Sequence, residues 1–225
     1  MVAEKIDRAR LVLDRLRSEW NEGYAHWAMF LEGNGRDQTH RARLHDAINA
    51  ASVQGGFSLV LSASTVVALM ALARITDKGT GRDVNSLGVL NGLIASEEAR
   101  AALIQEAGEW YAGIGPDLET PFRSAENREL VDTLSKQVRK AMNKFNSGRV
   151  ASLIQGVRDS RISHALDLSR EPVVQHDLSE AFDDAGRIIA ALSLVVSGTN
   201  IDIEGMKRLH DKTASEWWDR ILAPG

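Results

Sequence analysis

Apolar residues recur along the N-terminal part of the chain at alternating steps of three and four positions. The series is Ile6, Ala9, Leu13, Leu16, Trp20, Gly23, Trp27 and Phe30. This spacing keeps one narrow face of an α-helix apolar along its whole length. We therefore predict one long helix, ended by Gly33 and Gly35, that packs lengthwise against a partner helix of the same chain or of another.

The remaining chain repeats the helical pattern in shorter pieces. Helices are predicted at about 37–52, 57–75, 97–110, 125–145, 149–170 and 178–196, with a short helix capped by Ser86 and a final short helix that holds Trp217 and Trp218. Glycine and proline separate these pieces, at Gly55, Gly56, Gly113, Gly115, Pro116, Pro121, Pro172 and Gly198. Only 200–203 is a weak strand candidate. The pattern predicts an all-α antiparallel helical bundle, with 1–225 forming a single domain.

One stretch, 57–73, contains no charged residue. It is shorter than the ~20 apolar residues that a membrane span requires, so we predict a buried central helix and no membrane partner. The N-terminus is charged and amphipathic, unlike a secretory signal, and the chain contains no cysteine. We expect a cytoplasmic protein without disulfides or thiolate metal sites.

The formal net charge of -4 gives no overall signature of nucleic-acid binding. One region is nevertheless basic: between 136 and 161, seven basic residues face a single acidic one, Asp159, which leaves six positive charges. The basic residues are Lys136, Arg139, Lys140, Lys144, Arg149, Arg158 and Arg161. A phosphate-bearing ligand suits such a run.

The predicted helix at about 149–170 carries ionisable groups on its apolar face. The apolar face is formed by Val150, Leu153, Ile154 and Val157, and it continues through Arg161, His164 and Leu168. Arg158 lies about 120° around an ideal helix from His164. Two interpretations stay open. The group forms a functional site, or His164 is a core histidine and the arginines form ion pairs with Asp159, Asp167 or Glu171.

The segment R-D-S-R-I-S-H, from Arg158 to His164, resembles the motif of HEPN domains. In these domains an Arg is followed by a polar residue and, a few positions later, by a His. The chain is similar to the AbiU-type abortive-infection branch of HEPN proteins over about 57–197. The segments A-L-A-R-I-T-D-K and S-L-G-V-L contribute to this similarity.

The resemblance implies a metal-independent endoribonuclease that uses no cofactor and leaves a 2′,3′-cyclic phosphate. His164 would act as general base or acid, and Arg158 would hold the scissile phosphate. The further candidates for substrate binding are Arg161, Asp159, Arg149 and Lys144. The expected partners are RNA, a second copy of the chain that completes the cleft, and an antitoxin or other regulatory protein.

Two other functions fit the same residues. The first is a non-catalytic HEPN module that binds a nucleotide or RNA in the same pocket. The second is a helical interaction protein, in which the N-terminal apolar face binds a partner and the Arg/His cluster is structural.

Overall fold

A computed structural model describes residues 2–35, 38–50, 52–77, 79, 84–110, 120–147, 152, 154 and 175–222. Within these ranges the chain forms eight helices and no strand, which confirms the all-α prediction. The helices are α1 Val2–Gly33, α2 Gln38–Ala50, α3 Gln54–Ile75, α4 Leu87–Ile94, α5 Glu97–Ala107, α6 Thr120–Ser147, α7 Gln175–Ser197 and α8 Ile203–Leu222.

Helix α1 is the centre of the bundle and contacts α3, α4, α5, α7 and α8. Arg74 near the end of α3 forms an ion pair with Glu19, whereas Gly33 at the end of α1 lies against Leu61, so α3 runs antiparallel to α1. Helix α7 is also antiparallel to α1, because Trp20 bonds to Phe182 and Trp27 to Ser179. Helix α8 runs parallel to α1, since contacts advance together along both helices: Asn21 with His210, Tyr24 with Asp211 and Met29 with Trp218.

The buried face of α1 contains the predicted apolar series but is wider. Every member of the series up to Trp27 is buried, while Phe30 is only partly buried. Val12, Tyr24 and Ala28 are buried as well, because helices cover α1 on several sides. The apolar face of α1 therefore packs against helices of its own chain.

The prediction of a buried central helix is wrong for α3, which is only partly buried. Most of its C-terminal half is buried, with Ser64, Leu72 and Ile75 among the buried residues, although Val66 is 50% exposed. Its N-terminal half reaches past the main core, and Leu59 is 70% exposed. The helix has 22 residues, so, contrary to the prediction, its length does not exclude a membrane span. Among the described residues α3 is the helix that is long and apolar enough to cross a membrane by length and composition, with 33% of its apolar window buried.

A small second core covers one side of α3. Leu44 and Ile48 of α2 pack with Trp218 of α8, and Phe57 and Leu61 of α3 lie against them. The Trp218 indole N–H donates a 3.0 Å hydrogen bond to the Met29 carbonyl at α1. This cluster holds α2 against the bundle.

Several helix ends differ from the predictions. Helix α6 begins at Thr120 and includes Pro121, which fits because proline is tolerated in the first helical turn. Helix α8 has 20 residues and is not short, and the weak strand candidate lies at its start. Ser86 caps α4 as predicted, by accepting a hydrogen bond from the Val89 amide. Gly198 follows α7 with a positive φ of 63°, as a C-terminal glycine commonly does.

Candidate nucleic-acid interface

Helix α6 presents a basic face to solvent. Its apolar face packs on α5 and α7 through Val131, Val138, Met142 and Phe145. The basic residues at helical spacing on the other side are all exposed: Lys136, Arg139, Lys140 and Lys144. The three- and four-residue steps between them place these side chains side by side on one surface.

The acidic residues of α6 are confined to its N-terminal half. The carboxylates Glu126, Glu129 and Asp132 lie in the N-terminal half, and no acidic residue follows Asp132 before the helix ends at Ser147. The helix dipole favours cations only within the last turn, where Lys144 lies. The dipole therefore does not account for the basic residues one to three turns earlier.

A carboxylate connects α6 to α5 at the acidic end of this face. The Lys136 ammonium donates a 2.6 Å hydrogen bond to Asp132 Oδ2, and Arg100 Nε of α5 lies 3.2 Å from Asp132 Oδ1. The hydrogen bond from Lys136 holds the pKa of the Asp132 carboxyl below its usual value, and the positive charges of Lys136 and Arg100 act in the same direction. Asp132 is thus ionised and fixes two cations next to each other.

A small cavity of about 60 Å³ opens beside this pair of cations. The apolar part of its wall comes from Ile94, Ala95 and Leu103, and the polar part from Asn91, Arg100, Ser135, Lys136 and Arg139. Three of the polar residues are cationic, and they come from α5 and α6. The cavity is therefore suited to a small anionic group.

A larger cavity, about 660 Å³, lies between α1 and α8 and has the opposite character. Its wall includes three carboxylates, Glu32, Asp211 and Glu216, against one cation, Lys212, which lies 3.7 Å from Glu216. A phosphate would be repelled by this lining. Of these two cavities, only the one beside α6 suits a nucleic-acid backbone.

The model of the HEPN family AbiU2 matches residues 6–210, which is 205 of the 225 residues. The chain belongs to the HEPN AbiU2 family. No curated protein and no solved structure matches it.

The AbiU2 match confirms the resemblance inferred from R-D-S-R-I-S-H and extends it. The resemblance covers about 57–197, whereas the family model begins at Ile6 and ends at His210. The central helix α1 and part of α8 are therefore part of the AbiU2 family region.

Most of the predicted site of this AbiU2 protein lies outside the described residues. This applies to Arg149, Arg158, Asp159, Arg161 and His164. Within the predicted helix at about 149–170, Ser152 and Ile154 are described and both are helical. Ile154 is buried in the main core, in agreement with the predicted apolar face. Of the six predicted site residues the structure thus places Lys144, on the exposed face of α6.

The sequence-based reasoning missed Arg100. It lies 32 positions before Asp132 in a helix that carries more carboxylates than cations near its start, so nothing local distinguishes it. The antiparallel packing of α5 on α6 brings it to the basic face. No group of three or more metal-binding side chains occurs in the part of the chain that the structure describes.

Proposed function

We propose that this AbiU2 protein is a metal-independent endoribonuclease that acts in abortive infection or a toxin-like response. The observation that carries the proposal is the family match itself, which spans Arg158-Asp159 and His164 at the spacing of the HEPN motif. The exposed basic half of α6 supports it. This surface leads along the chain directly into the segment that holds the motif.

The chemistry assigned to the motif follows from its residue types. His164 takes the proton from a ribose 2′-hydroxyl or gives one to the leaving oxygen, because an imidazole with a pKa of about 6.5 does both near neutral pH. Arg158 holds the scissile phosphate through its planar guanidinium and stabilises the charge that develops on it. The 2′-hydroxyl is then the nucleophile, and the product carries a 2′,3′-cyclic phosphate.

A second copy of the chain is the proposed partner that completes the cleft. An uncharged face of α3 supports this, because Leu59, Ser62, Ala63 and Val66 are exposed at positions i, i+3, i+4 and i+7. Two such faces can pack together without desolvating a charge, which makes the surface complementary to itself. RNA and an antitoxin or other regulatory protein remain the other proposed partners, and the cytoplasm remains the expected location.

The catalytic proposal is tested with structured RNA in EDTA. We expect the wild type to cleave it to products with 2′,3′-cyclic ends, and His164→Ala and Arg158→Ala each to lower the rate at least about 100-fold. The matched control is His176→Ala, since His176 is an exposed histidine at the start of α7. Equal cleavage by all variants, or by none, would contradict the proposal. Binding without cleavage, lost in Arg158→Ala, would instead support the non-catalytic module.

The homodimer is tested by placing a charge on the exposed face of α3. We expect Leu59→Asp to shift the protein from dimer to monomer in analytical ultracentrifugation, because a carboxylate would be desolvated at the helix pair. The control is Leu209→Asp on α8, where the leucine is 61% exposed, similar to Leu59. A wild type that is monomeric at micromolar concentration, or a Leu59→Asp variant that stays dimeric, would rule out this surface.

A further inference from the structure

We propose that the cavity between α4, α5 and α6 is a phosphate subsite, which binds the RNA backbone away from the catalytic motif. The proposal rests on the proposed function only for RNA as the ligand. The site itself is defined by Arg100, Lys136 and Arg139, with Ser135 and Asn91 beside them.

The size and lining of the cavity fit one phosphate group. Its volume of about 60 Å³ is several times the ~10–15 Å³ that a cavity needs to hold one water, so there is room for a small anionic group. Two guanidinium groups and one ammonium supply charged donors, while the Ser135 hydroxyl donates a 2.6 Å hydrogen bond to the Val131 carbonyl. Arginine suits this role because its planar donors match the oxygens of a phosphate.

The net charge at the cavity remains positive after its ion pairs are counted. Asp132 is the carboxylate that holds Arg100 and Lys136, so three cations face one anion and two positive charges remain. Arg139 forms no ion pair with any residue that the structure describes. A backbone phosphate carries one negative charge and would neutralise one of these two positive charges.

The carboxylates at the start of α5 do not cancel this charge. The Glu98 carboxylate accepts hydrogen bonds from its own backbone amide and from Ser96, which lower its pKa, and the Lys5 ammonium of α1 acts in the same direction. The Glu98 carboxylate is therefore held by hydrogen bonds at the helix cap, near α1. Neither Glu97 nor Glu98 lines the cavity.

The position of the subsite relative to the motif indicates a path for the backbone. Ser135 and Ser147 are twelve residues apart on α6, about 18 Å at ~1.5 Å per residue. Lys140 and Lys144 are exposed between these two positions. A strand bound at the cavity can thus follow a continuous basic surface to the end of α6, where the segment with the motif begins.

The test measures the affinity for a short 2′-O-methyl RNA by fluorescence anisotropy over a range of salt concentrations. The 2′-O-methyl group removes the attacking hydroxyl, so binding is measured without cleavage. We expect the double variant Arg100→Gln/Arg139→Gln to bind about tenfold more weakly. We also expect the slope of log affinity against log salt to fall by about 0.7, the value for one phosphate contact on a single strand.

The matched control is Arg208→Gln/Lys212→Gln, which removes two charges from exposed, ion-paired cations of α8. We expect its affinity and salt slope to equal those of the wild type. Circular dichroism of each variant verifies that the helices are intact.

The outcomes separate this proposal from the nuclease proposal. If the wild type cleaves RNA but the α5/α6 double variant binds with unchanged affinity and slope, the subsite is wrong and the nuclease stands. If no variant cleaves RNA but the double variant alone loses affinity, the subsite stands without catalysis. A wild type that does not bind the 2′-O-methyl RNA, or a control that weakens as much as the double variant, overturns the subsite.

Discussion

At the scale of single residues, the contact between α1 and α8 is formed by partly buried polar side chains. The Tyr24 hydroxyl donates a 3.2 Å hydrogen bond to Asp211 Oδ1, and a 2.8 Å hydrogen bond joins His210 Nε2 to Asn21 Oδ1. Burial raises the pKa of the Tyr24 hydroxyl, and the charge of Asp211 adds to this effect. Burial also lowers the pKa of the His210 imidazole, because the cation loses hydration. These groups make the stability of this contact dependent on pH.

We expect His210 to lower the free energy of unfolding in mild acid. Its folded-state pKa lies below the ordinary 6.5, so the unfolded chain takes up the proton more readily. The destabilising contribution of His210 is absent well above pH 6.5 and grows as the pH falls through that value. Urea unfolding at pH 7.5 and 5.5 should therefore show a smaller loss of stability in His210→Gln than in the wild type.

The control for this measurement is His45→Gln, because the His45 side chain is 74% exposed on α2. We expect this variant to follow the wild type. The same pH dependence in His210→Gln and the wild type would show that His210 does not contribute.

At the scale of helices, α1 and α3 approach each other closely at Gly23. Gly23 of α1 faces the Ala71 side chain of α3, and the Phe182 ring of α7 closes the site from the other side. A Cβ at Gly23 would overlap with the Cβ of Ala71, which cannot move without a shift of helix α3. Glycine at this position therefore sets the distance between the two helices.

We expect Gly23→Ala to destabilise the protein by about 1–3 kcal/mol, because it overpacks a tight helix contact. Gly92→Ala in α4 is the matched change, since a Cβ at Gly92 meets nothing within 4 Å. That variant should gain about 0.5–1 kcal/mol from the lower conformational entropy of the unfolded chain. Denaturant titration of both variants measures the difference. Equal effects of the two substitutions would show that helix propensity, and not packing, determines the result at Gly23.

At the scale of the whole molecule, two hydrophobic clusters bury very different numbers of apolar side chains. The main core joins α1 and the six helices from α3 to α8, together with Ile154. Among the described residues, the second cluster has Leu44, Ile48 and Trp218 as its buried members, and it attaches α2 to the bundle. Stability is lowest where few buried apolar contacts hold an element in place. Helix α2 and the adjacent half of α3 should thus open before the main core.

We expect Trp218→Ala to release α2 selectively. The substitution removes a ring that is 2% exposed and costs about 3–5 kcal/mol within its cluster. Hydrogen exchange should accelerate in the amides of α2 and the first turns of α3 far more than in those of α7. The control is Trp217→Ala, since this neighbouring ring is 38% exposed. Uniform acceleration across all helices would show that the second cluster and the main core unfold as one unit.

Some features of the candidate site can be predicted from the local sequence pattern, and others cannot. The exposure of Lys136, Arg139, Lys140 and Lys144 follows from helical spacing, because their apolar neighbours Val138, Met142 and Phe145 define the opposite face. Arg100 could not be placed in this way. Its proximity to Asp132 depends on how α5 and α6 pack, and a contact between distant positions has no periodic signal in one sequence.

Within the described residues, the sequence by itself determined which segments are helical and which face of α1 is apolar. The series from Ile6 to Trp27, the cap at Ser86 and the end at Gly198 are local features, and each is confirmed. Only the tertiary structure decided which helix covers which face. It placed five helices around α1, set α8 parallel to α1, and left half of α3 uncovered. The reason is that an uncharged helix has the same composition whether a neighbour buries it or not, so burial depends on contacts between segments.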